Sequence, residues 1–259
     1  MKKKALLVGI NKYSAETENL RGCINDVINL KDILIQKRGF QPDDIKLVLD
    51  EAATDINIKQ CLNELVSDAV NGDQLVFGFS GHGVQKGFNQ PGEEDGRNEA
   101  IVPHNISYQS LITDNELFDI ITQRVQSPDI KFTAIYDCCH SGTLARTMSF
   151  DDLGNLVIIT NRCLNMPDIL VLPQRTRSAM IGPYNVLSAC KDSETAADLK
   201  PQGSDYRGAF SYSLHNVWGN DIDMPINDLE GPVMQGIKEI SPHKQTPQYY
   251  AVDPALPAL

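Results

Sequence analysis

The chain has 259 residues, with 23 Lys and Arg against 34 Asp and Glu, a formal net charge of −11 and 41% hydrophobic residues. This composition excludes a disordered chain, and the acidic balance argues against electrostatic binding to nucleic acid or to an anionic membrane. No apolar run approaches the roughly 20 residues of a membrane span, and the run Ala5–Ile10 is too short for a secretory signal. We therefore expect a cytoplasmic protein whose six cysteines are reduced thiols.

Short apolar runs alternate along the chain with amphipathic stretches. Buried strands are predicted at 5–10, 45–49, 74–79, 132–136 and 186–189, and helices at 23–37, 56–70, 115–125, 209–218 and 228–240. Thr54 or Asp55 is placed to cap the second helix. This alternation predicts an α/β fold with a mainly parallel central sheet and helices on both faces. The segment 151–183, with its prolines and arginines, breaks the pattern and is predicted to be a loop or linker.

Two of the predicted strands end in residues that are capable of chemistry. Ser80 and His82 follow one strand, and Asp137 and Cys139 follow the next strand of the sheet. Residues two apart in an extended chain point the same way, so the members of each pair share one side. Ligands of open parallel sheets bind at the carboxyl ends of the strands. This placement favours Cys139 over Cys138 as the partner of His82.

A thiol beside an imidazole is typical of nucleophilic catalysis. The histidine favours the thiolate, which attacks a carbonyl carbon, and it then protonates the departing amine. The backbone amides of Gly83 and Cys139 are placed to form an oxyanion hole. His82 and Cys139 are 57 residues apart, compatible with the roughly 50 residues between the two catalytic residues of caspases.

The motifs around these residues extend over most of the chain. They are SGHG at Ser80–Gly83, DCCHSG at Asp137–Gly142, LRGCINDV at 20–27, DGRNEAIVP at 95–103, LSACKDSETA at 187–196, GAFSYSL at 208–214 and QTPQ at 245–248. In this order they resemble the caspase-like cysteine peptidases, and among these the metacaspases and their prokaryotic relatives, the orthocaspases. The resemblance implies the caspase-like (caspase-hemoglobinase) fold and a His82–Cys139 dyad. It also implies one domain, 1–259, with a large p20-like catalytic region at 1–150, a linker at 151–183 and a small p10-like region at 184–259.

The resemblance further implies a pocket for P1, the substrate residue before the cut. Its positions here are Cys23, Asp26, Ser80 and Asp137. Two of the four are carboxylates, which would pair with Arg or Lys and would repel an acidic side chain. We therefore predict a cysteine endopeptidase that cleaves peptides or proteins after basic residues, with Arg against Lys left open.

Calcium-dependent members of this family place acidic residues on loops near the site. Suitable oxygen ligands here are Glu93, Glu94, Asp95 and Asp114. Three positions where the family commonly has an acid instead hold Asn98, Asn115 and Arg146. We therefore predict that no metal or other cofactor is required, and that calcium is not needed for activity.

An Arg-selective enzyme is able to cut its own chain at an exposed arginine. The candidates in or near the predicted linker, which we expect to be exposed, are Arg146, Arg162, Arg175 and Arg177. Sequence alone does not choose among them, because access to the active site decides which bond is cut.

Three other functions are compatible with parts of the pattern. A catalytically silent caspase-like scaffold is the main alternative, although inactive relatives commonly lose one residue of the dyad. A zinc site built from His82, Cys138, Cys139 and His140 lacks any C-x-x-C spacing. A nucleotide-binding protein is disfavoured because no phosphate-binding glycine motif follows a strand. The resemblance favours a monomer without nucleic acid or membrane partners.

Overall fold

The computed structural model describes residues 1–14, 19–87, 97–107, 109–138, 147–150, 156–162, 182–191, 194–201, 203–241 and 244–259. In the strand segments 85–87, 97–98, 147–150 and 156–161 only the backbone is described.

The described chain forms thirteen strands and five α-helices. The strands are β1 (Lys3–Gly9), β2 (Ile45–Leu49), β3 (Gln74–Ser80), β4 (Gly83–Gly87), β5 (Arg97–Ile101), β6 (Ile112–Thr113), β7 (Lys131–Asp137), β8 (Thr147–Phe150), β9 (Leu156–Asn161), β10 (Asn185–Ser188), β11 (Ala197–Leu199), β12 (Arg207–Gly208) and β13 (Gln248–Tyr250). The helices are α1 (Cys23–Arg38), α2 (Asp55–Val66), α3 (Asp114–Thr122), α4 (Ala209–Asn220) and α5 (Ile226–Ile240). No helix in these described ranges is both long and apolar enough to cross a membrane.

The main sheet has six strands in the order β13-β10-β7-β3-β1-β2. All neighbours are parallel except β13, which runs antiparallel to β10 at one edge. The strands have nearly continuous apolar runs because both faces are covered. Leu6 and Val8 of β1 pack on the side of α2 and α3, whereas Leu7 packs on the side of α1, α4 and α5. The prediction of a mainly parallel α/β fold with helices on both faces is confirmed.

Two smaller antiparallel sheets were not predicted. One has the order β4-β5-β6, and the other has the order β12-β11-β9-β8. β9 lies inside the predicted linker, where the sequence LVIIT at Leu156–Thr160 has the β-branched composition of a strand. The expectation of a loop through 151–183 is therefore wrong for this segment.

The starts of two helices bear on the site. Thr54 caps α2, as the sequence predicted, with its Oγ1 accepting from the amide of Asn57 at 3.3 Å. α1 has no side-chain cap at Gly22, and the Oδ1 of Asn11 accepts from the amide of Cys23 at 2.9 Å instead. Because Asn11 follows β1, this bond fixes the first turn of α1 against the carboxyl end of the sheet. Asp26 lies in that turn.

Candidate active site

The residues predicted for the P1 pocket meet at the carboxyl end of the main sheet. β3 and β7 are parallel neighbours whose register places their last residues, Ser80 and Asp137, side by side. Asp26 reaches this pair from α1, and Ser80 Oγ donates to Asp26 Oδ2 at 2.9 Å. Cys23 is fully buried at the start of the same helix. Burial is the main cause that raises the pKa of its thiol, so Cys23 adds no charge to the pocket wall.

This pocket is filled by the side chain of Arg162, which has no exposed surface. Its Nη1 donates to Ser80 Oγ at 2.6 Å and to the carbonyl oxygen of Asp137 at 3.2 Å, and lies 3.3 Å from Asp137 Oδ1. Its Nη2 donates to Asp26 Oδ2 at 2.7 Å and to Asp198 Oδ1 at 2.9 Å. The expectation that Arg162 is exposed is therefore wrong. Three carboxylates compensate the cost of burying the guanidinium, which is why an arginine is stable there.

The backbone of Arg162 is bound as well as its side chain. Its amide donates to the carbonyl oxygen of Ala196, and its own carbonyl oxygen accepts from the amide of Gly83, both at 3.0 Å. The preceding residues continue as β9, which pairs antiparallel with β11 through Asn161 and Ala197. Arg162 thus directly follows β9. Its carbonyl oxygen accepts from the amide of Gly83, which is one of the two amides predicted to form the oxyanion hole.

His82 lies between the pocket and the following strand. Only 2% of its surface is exposed, and its amide donates to the hydroxyl of Tyr13 at 2.7 Å. The two rings pack with their centroids 4.8 Å apart. The adjacent Gly83 amide is the one that contacts Arg162. Cys139 lies outside the described residues, so the dyad remains a prediction.

Sequence reasoning missed several residues of the pocket. Asp198 lies on β11, two residues beyond the motif at 187–196, and Arg207 and Gly208 form β12. Arg207 Nε donates to Asp26 Oδ1 at 3.1 Å, and the amide of Gly208 donates to both oxygens of that carboxylate at the same distance. Tyr13 was also missed, because in the sequence it only marks the end of the first apolar run. The sole available signal was that Gly208 opens the quoted motif GAFSYSL.

The chain is similar in sequence and in fold to known proteins. Residues 3–148 match the family model described as the metacaspase, peptidase C14 domain. The chain belongs to the metacaspase family. The resemblance inferred from the motifs is confirmed, and the caspase-like fold with it.

Two of the relatives that match are fungal metacaspases. Metacaspase-1 of Yarrowia lipolytica is 32% identical, covering 98% of this chain and 62% of its own length. Metacaspase-1 of Mycosarcoma maydis is 32% identical, covering 98% of this chain and 71% of its own length. This chain therefore spans less than two thirds of the Yarrowia relative. A solved structure of a protein from Geobacter sulfurreducens matches with a TM-score of 0.68 at 20% identity, covering 98% of this chain and 96% of that chain, and shows likeness of fold.

The charged side chains of this pocket shift one another's pKa values. Burial, together with the neighbouring Asp137, raises the pKa of Asp26 to about 6, although Arg162 and Arg207 act in the opposite direction. Burial lowers the pKa of Arg162, but Asp137, Asp26 and Asp198 outweigh that effect and hold the pKa well above its ordinary value. The arginine is therefore always charged, and Asp26 is the group whose charge is open to change.

The start of α4 also holds the carboxylates. The amide of Ser211, in the first turn, donates to Asp137 Oδ2 at 2.9 Å. Unpaired amides at a helix start favour negative charge, so α4 stabilises the ionised pocket. Gly208, which precedes α4, leaves room for the occupant, because a Cβ there would lie 2.7 Å from Arg162 Nη1 and would collide with Asp137 Oδ2.

The other predicted residues divide into two sets. Those outside the described residues are Cys139, Arg146, Arg175, Arg177, Glu93, Glu94 and Asp95, together with the side chain of Asn98. Asp114 is described at the start of α3, where its Oδ1 accepts from the amide of Asn115 at 2.9 Å. With Glu99 it lines a separate cavity of about 290 Å³ on the opposite face of the sheet. Calcium takes six to eight oxygen ligands, and most of the residues proposed to supply them lie outside the described ranges. Calcium independence therefore remains a prediction.

Proposed function

We propose that this member of the metacaspase family is a cysteine endopeptidase that cleaves peptide bonds after basic residues, with arginine as its principal P1 residue. One observation carries the proposal. An arginine of the chain itself lies in the predicted P1 pocket, with its guanidinium on Asp26, Asp137 and Asp198 and its carbonyl oxygen on the amide of Gly83. Its substrates would be peptides or proteins that present such a residue in an extended segment.

The proposed reaction uses His82 and Cys139. The thiolate of Cys139 attacks the carbonyl carbon of the P1 residue, and the C=O electron pair moves to the oxygen, which the Gly83 amide stabilises. The C–N bond then breaks, and His82 transfers the proton taken from the thiol to the departing nitrogen. A water molecule attacks the thioester and gives a proton to His82. The C–S bond then breaks, His82 returns that proton to sulfur and so regenerates the thiol, and the product leaves as a carboxylic acid that loses its own proton to solvent.

The same arrangement supports self-processing at one bond. Arg162 is the candidate arginine that lies among the described residues, and the contacts of its side chain and of its carbonyl are those that we propose for a P1 residue. We therefore assign the self-cleaved bond to Arg162–Cys163. Until that bond is cut and Arg162 leaves, the P1 pocket is not available to another chain, because Arg162 occupies it.

The test of the activity compares the intact protein with Cys139→Ala on three matched peptides that carry Arg, Lys or Asp at P1. We expect turnover after Arg, none after Asp, and none with the variant. Each assay is repeated with a strong chelator, where we expect activity to persist. Turnover by Cys139→Ala would contradict the dyad, preference for Asp would contradict the pocket, and inactivity of the folded protein on all peptides would favour the silent scaffold.

The test of self-processing is mass spectrometry of the purified chain. We expect fragments that end at Arg162 and begin at Cys163, and neither fragment from Cys139→Ala or Arg162→Ala. Arg124→Ala, at an exposed arginine of the large region, is the matched control and should be cut like the unmodified protein. A cut after Arg146, Arg175 or Arg177 with residue 162 still joined to 163 would contradict the assignment.

A further inference from the structure

The two terminal nitrogens of Arg162 are held by different sets of acceptors. Nη1 faces the sheet, where Ser80 and Asp137 accept from it. Nη2 lies between Asp26 Oδ2, at 2.7 Å, and Asp198 Oδ1, at 2.9 Å, and it donates to both. A guanidinium fills both sets at once because its donors form a fixed planar fork.

Asp198 is held firmly in its place. Its Oδ2 accepts from the amide of Arg21 at 2.9 Å, and its Oδ1 accepts from the amide of Gly22 at 3.0 Å as well as from Arg162. The fit depends on Gly22, since a Cβ at that position would collide with Asp198 Oδ1. Asp198 is 2% exposed and lies on β11, beside β9, which ends one residue before Arg162. It is thus oriented before any arginine enters.

We propose that Asp198 is a specificity-determining residue that makes this pocket select Arg over Lys at P1. The proposal rests on the proposed function. A lysine ammonium is a single point charge, so it does not take the place of both Nη1 beside Asp137 and Nη2 beside Asp198. Lysine therefore leaves a buried carboxylate without its cation, which disfavours its binding. Asp26 also accepts from Ser80, Arg207 and Gly208, whereas the cation that contacts Asp198 is Arg162. The loss of Nη2 therefore falls mainly on Asp198, which makes Asp198 the residue that discriminates between the two side chains.

The experiment measures kcat/KM on matched Arg and Lys peptides with Arg162→Ala as the open-pocket background, alone and combined with Asp198→Asn. Folding of each variant is checked by circular dichroism. We expect the second substitution to lower kcat/KM on the Arg peptide by roughly 10- to 100-fold and on the Lys peptide by less than about 3-fold. Asp205→Asn removes an exposed carboxylate of the nearby loop and should change neither value.

A second measurement avoids the double variant. Arg162→Lys in the otherwise unmodified chain should slow self-cleavage at residue 162 by roughly 10-fold or more, as followed by mass spectrometry. If Asp198→Asn does not fold, self-cleavage by Arg162→Lys that is as fast as that of the unmodified chain would still overturn the proposal.

The outcomes are distinct. An equal loss on both peptides, with an unchanged Arg to Lys ratio, would make Asp198 a structural residue and overturn the proposal, as would self-cleavage that is equally fast with Arg162→Lys. Absence of turnover on any peptide by the folded Arg162→Ala chain would instead overturn the proposed function. Turnover with Arg preferred and the ratio reduced by Asp198→Asn would support both.

Discussion

Two ion clusters of this protein have nearly the same contact distances, but one is exposed to solvent and the other is buried. At the amino end of β1, Lys2 and Lys4 contact Asp68 at 2.8 and 2.9 Å, with side chains 29 to 50% exposed. At the carboxyl end of the sheet, Arg162 contacts Asp26 and Asp198 at 2.7 and 2.9 Å, with side chains at most 2% exposed. The pKa of Asp68 is lowered to about 2 by hydrogen bonds from Lys2 and Lys4, whereas burial raises that of Asp26 to about 6.

The difference shows that contact with a cation does not by itself decide whether a carboxyl group is ionised. Water around Asp68 screens its ion pairs but also solvates the charge, so two lysines are enough to favour ionisation. At Asp26 water is excluded and a second carboxylate lies close by, so even two arginines do not restore the ordinary pKa. The buried cluster is therefore sensitive to loss of any member, and the exposed cluster is not.

Removal of Arg162 should have the largest effect on stability. Arg162→Ala leaves three buried carboxylates facing one another, and we expect the free energy of unfolding to fall by about 3 kcal/mol. Urea denaturation at neutral pH measures the change, with Arg124→Ala as the control that should stay within about 0.5 kcal/mol. If Arg162→Ala lowered the free energy of unfolding by no more than Arg124→Ala does, the buried cluster would not be more sensitive to the loss of a member than the exposed one.

The pH dependence of stability should run in opposite directions for the two aspartates. Between pH 4 and 6 the folded chain keeps a proton on Asp26 that the unfolded chain has lost, so this group lowers the unfolding free energy by about 2 kcal/mol as the pH rises. Asp68 stabilises the fold above about pH 4, and that contribution is lost as the pH falls towards 2. Urea denaturation of Asp26→Asn across pH 4 to 6 should show a shallower decline than the unmodified chain. An unchanged decline would contradict the role of burial.

The exposed cluster should give the smallest effect. Asp68→Asn removes both lysine contacts, yet we expect Tm to fall by no more than about 3 °C, because exposed ion pairs contribute little. The change should shrink further when salt is raised to about 1 M, since screening then acts within a few ångströms. Thermal unfolding at two salt concentrations measures both the fall in Tm and its dependence on salt. A fall in Tm as large as the one that Arg162→Ala causes in the same measurement would contradict the comparison.

The sequence predicted the parts of the molecule that depend on local pattern. The five predicted strands and five predicted helices are all present, because apolar periodicity and caps such as Thr54 act within a few residues. Boundaries were less certain. α2 ends at Val66 and not at Val70, because the amide of Val70 instead donates to the buried carboxylate of Asp73, which also accepts from the amide of Lys2. The bond from Lys2 to Asp73 joins positions 71 residues apart, and no local pattern encodes it.

The candidate site shows the same division. Alternation along a strand placed Ser80 and Asp137 in their strand-end positions, and the family resemblance added Asp26 to the pocket. Neither source indicated that Arg162 is buried, because its stability there requires carboxylates from α1, β7 and β11 together. Asp198 was missed because β11 has only three residues, too few for a strand to be read from alternation.

The order of strands in the main sheet bears on what a cut after Arg162 would do to the molecule. β10, from the C-terminal piece, lies between β7 of the N-terminal piece and β13. Arg207, Gly208 and Ser211 of that same piece also bind Asp26 and Asp137. The fragments Met1–Arg162 and Cys163–Leu259 therefore share one hydrogen-bonded sheet and the apolar clusters on both of its faces. We expect the nicked protein to remain a single two-chain particle, which dissociates only when the whole fold is denatured.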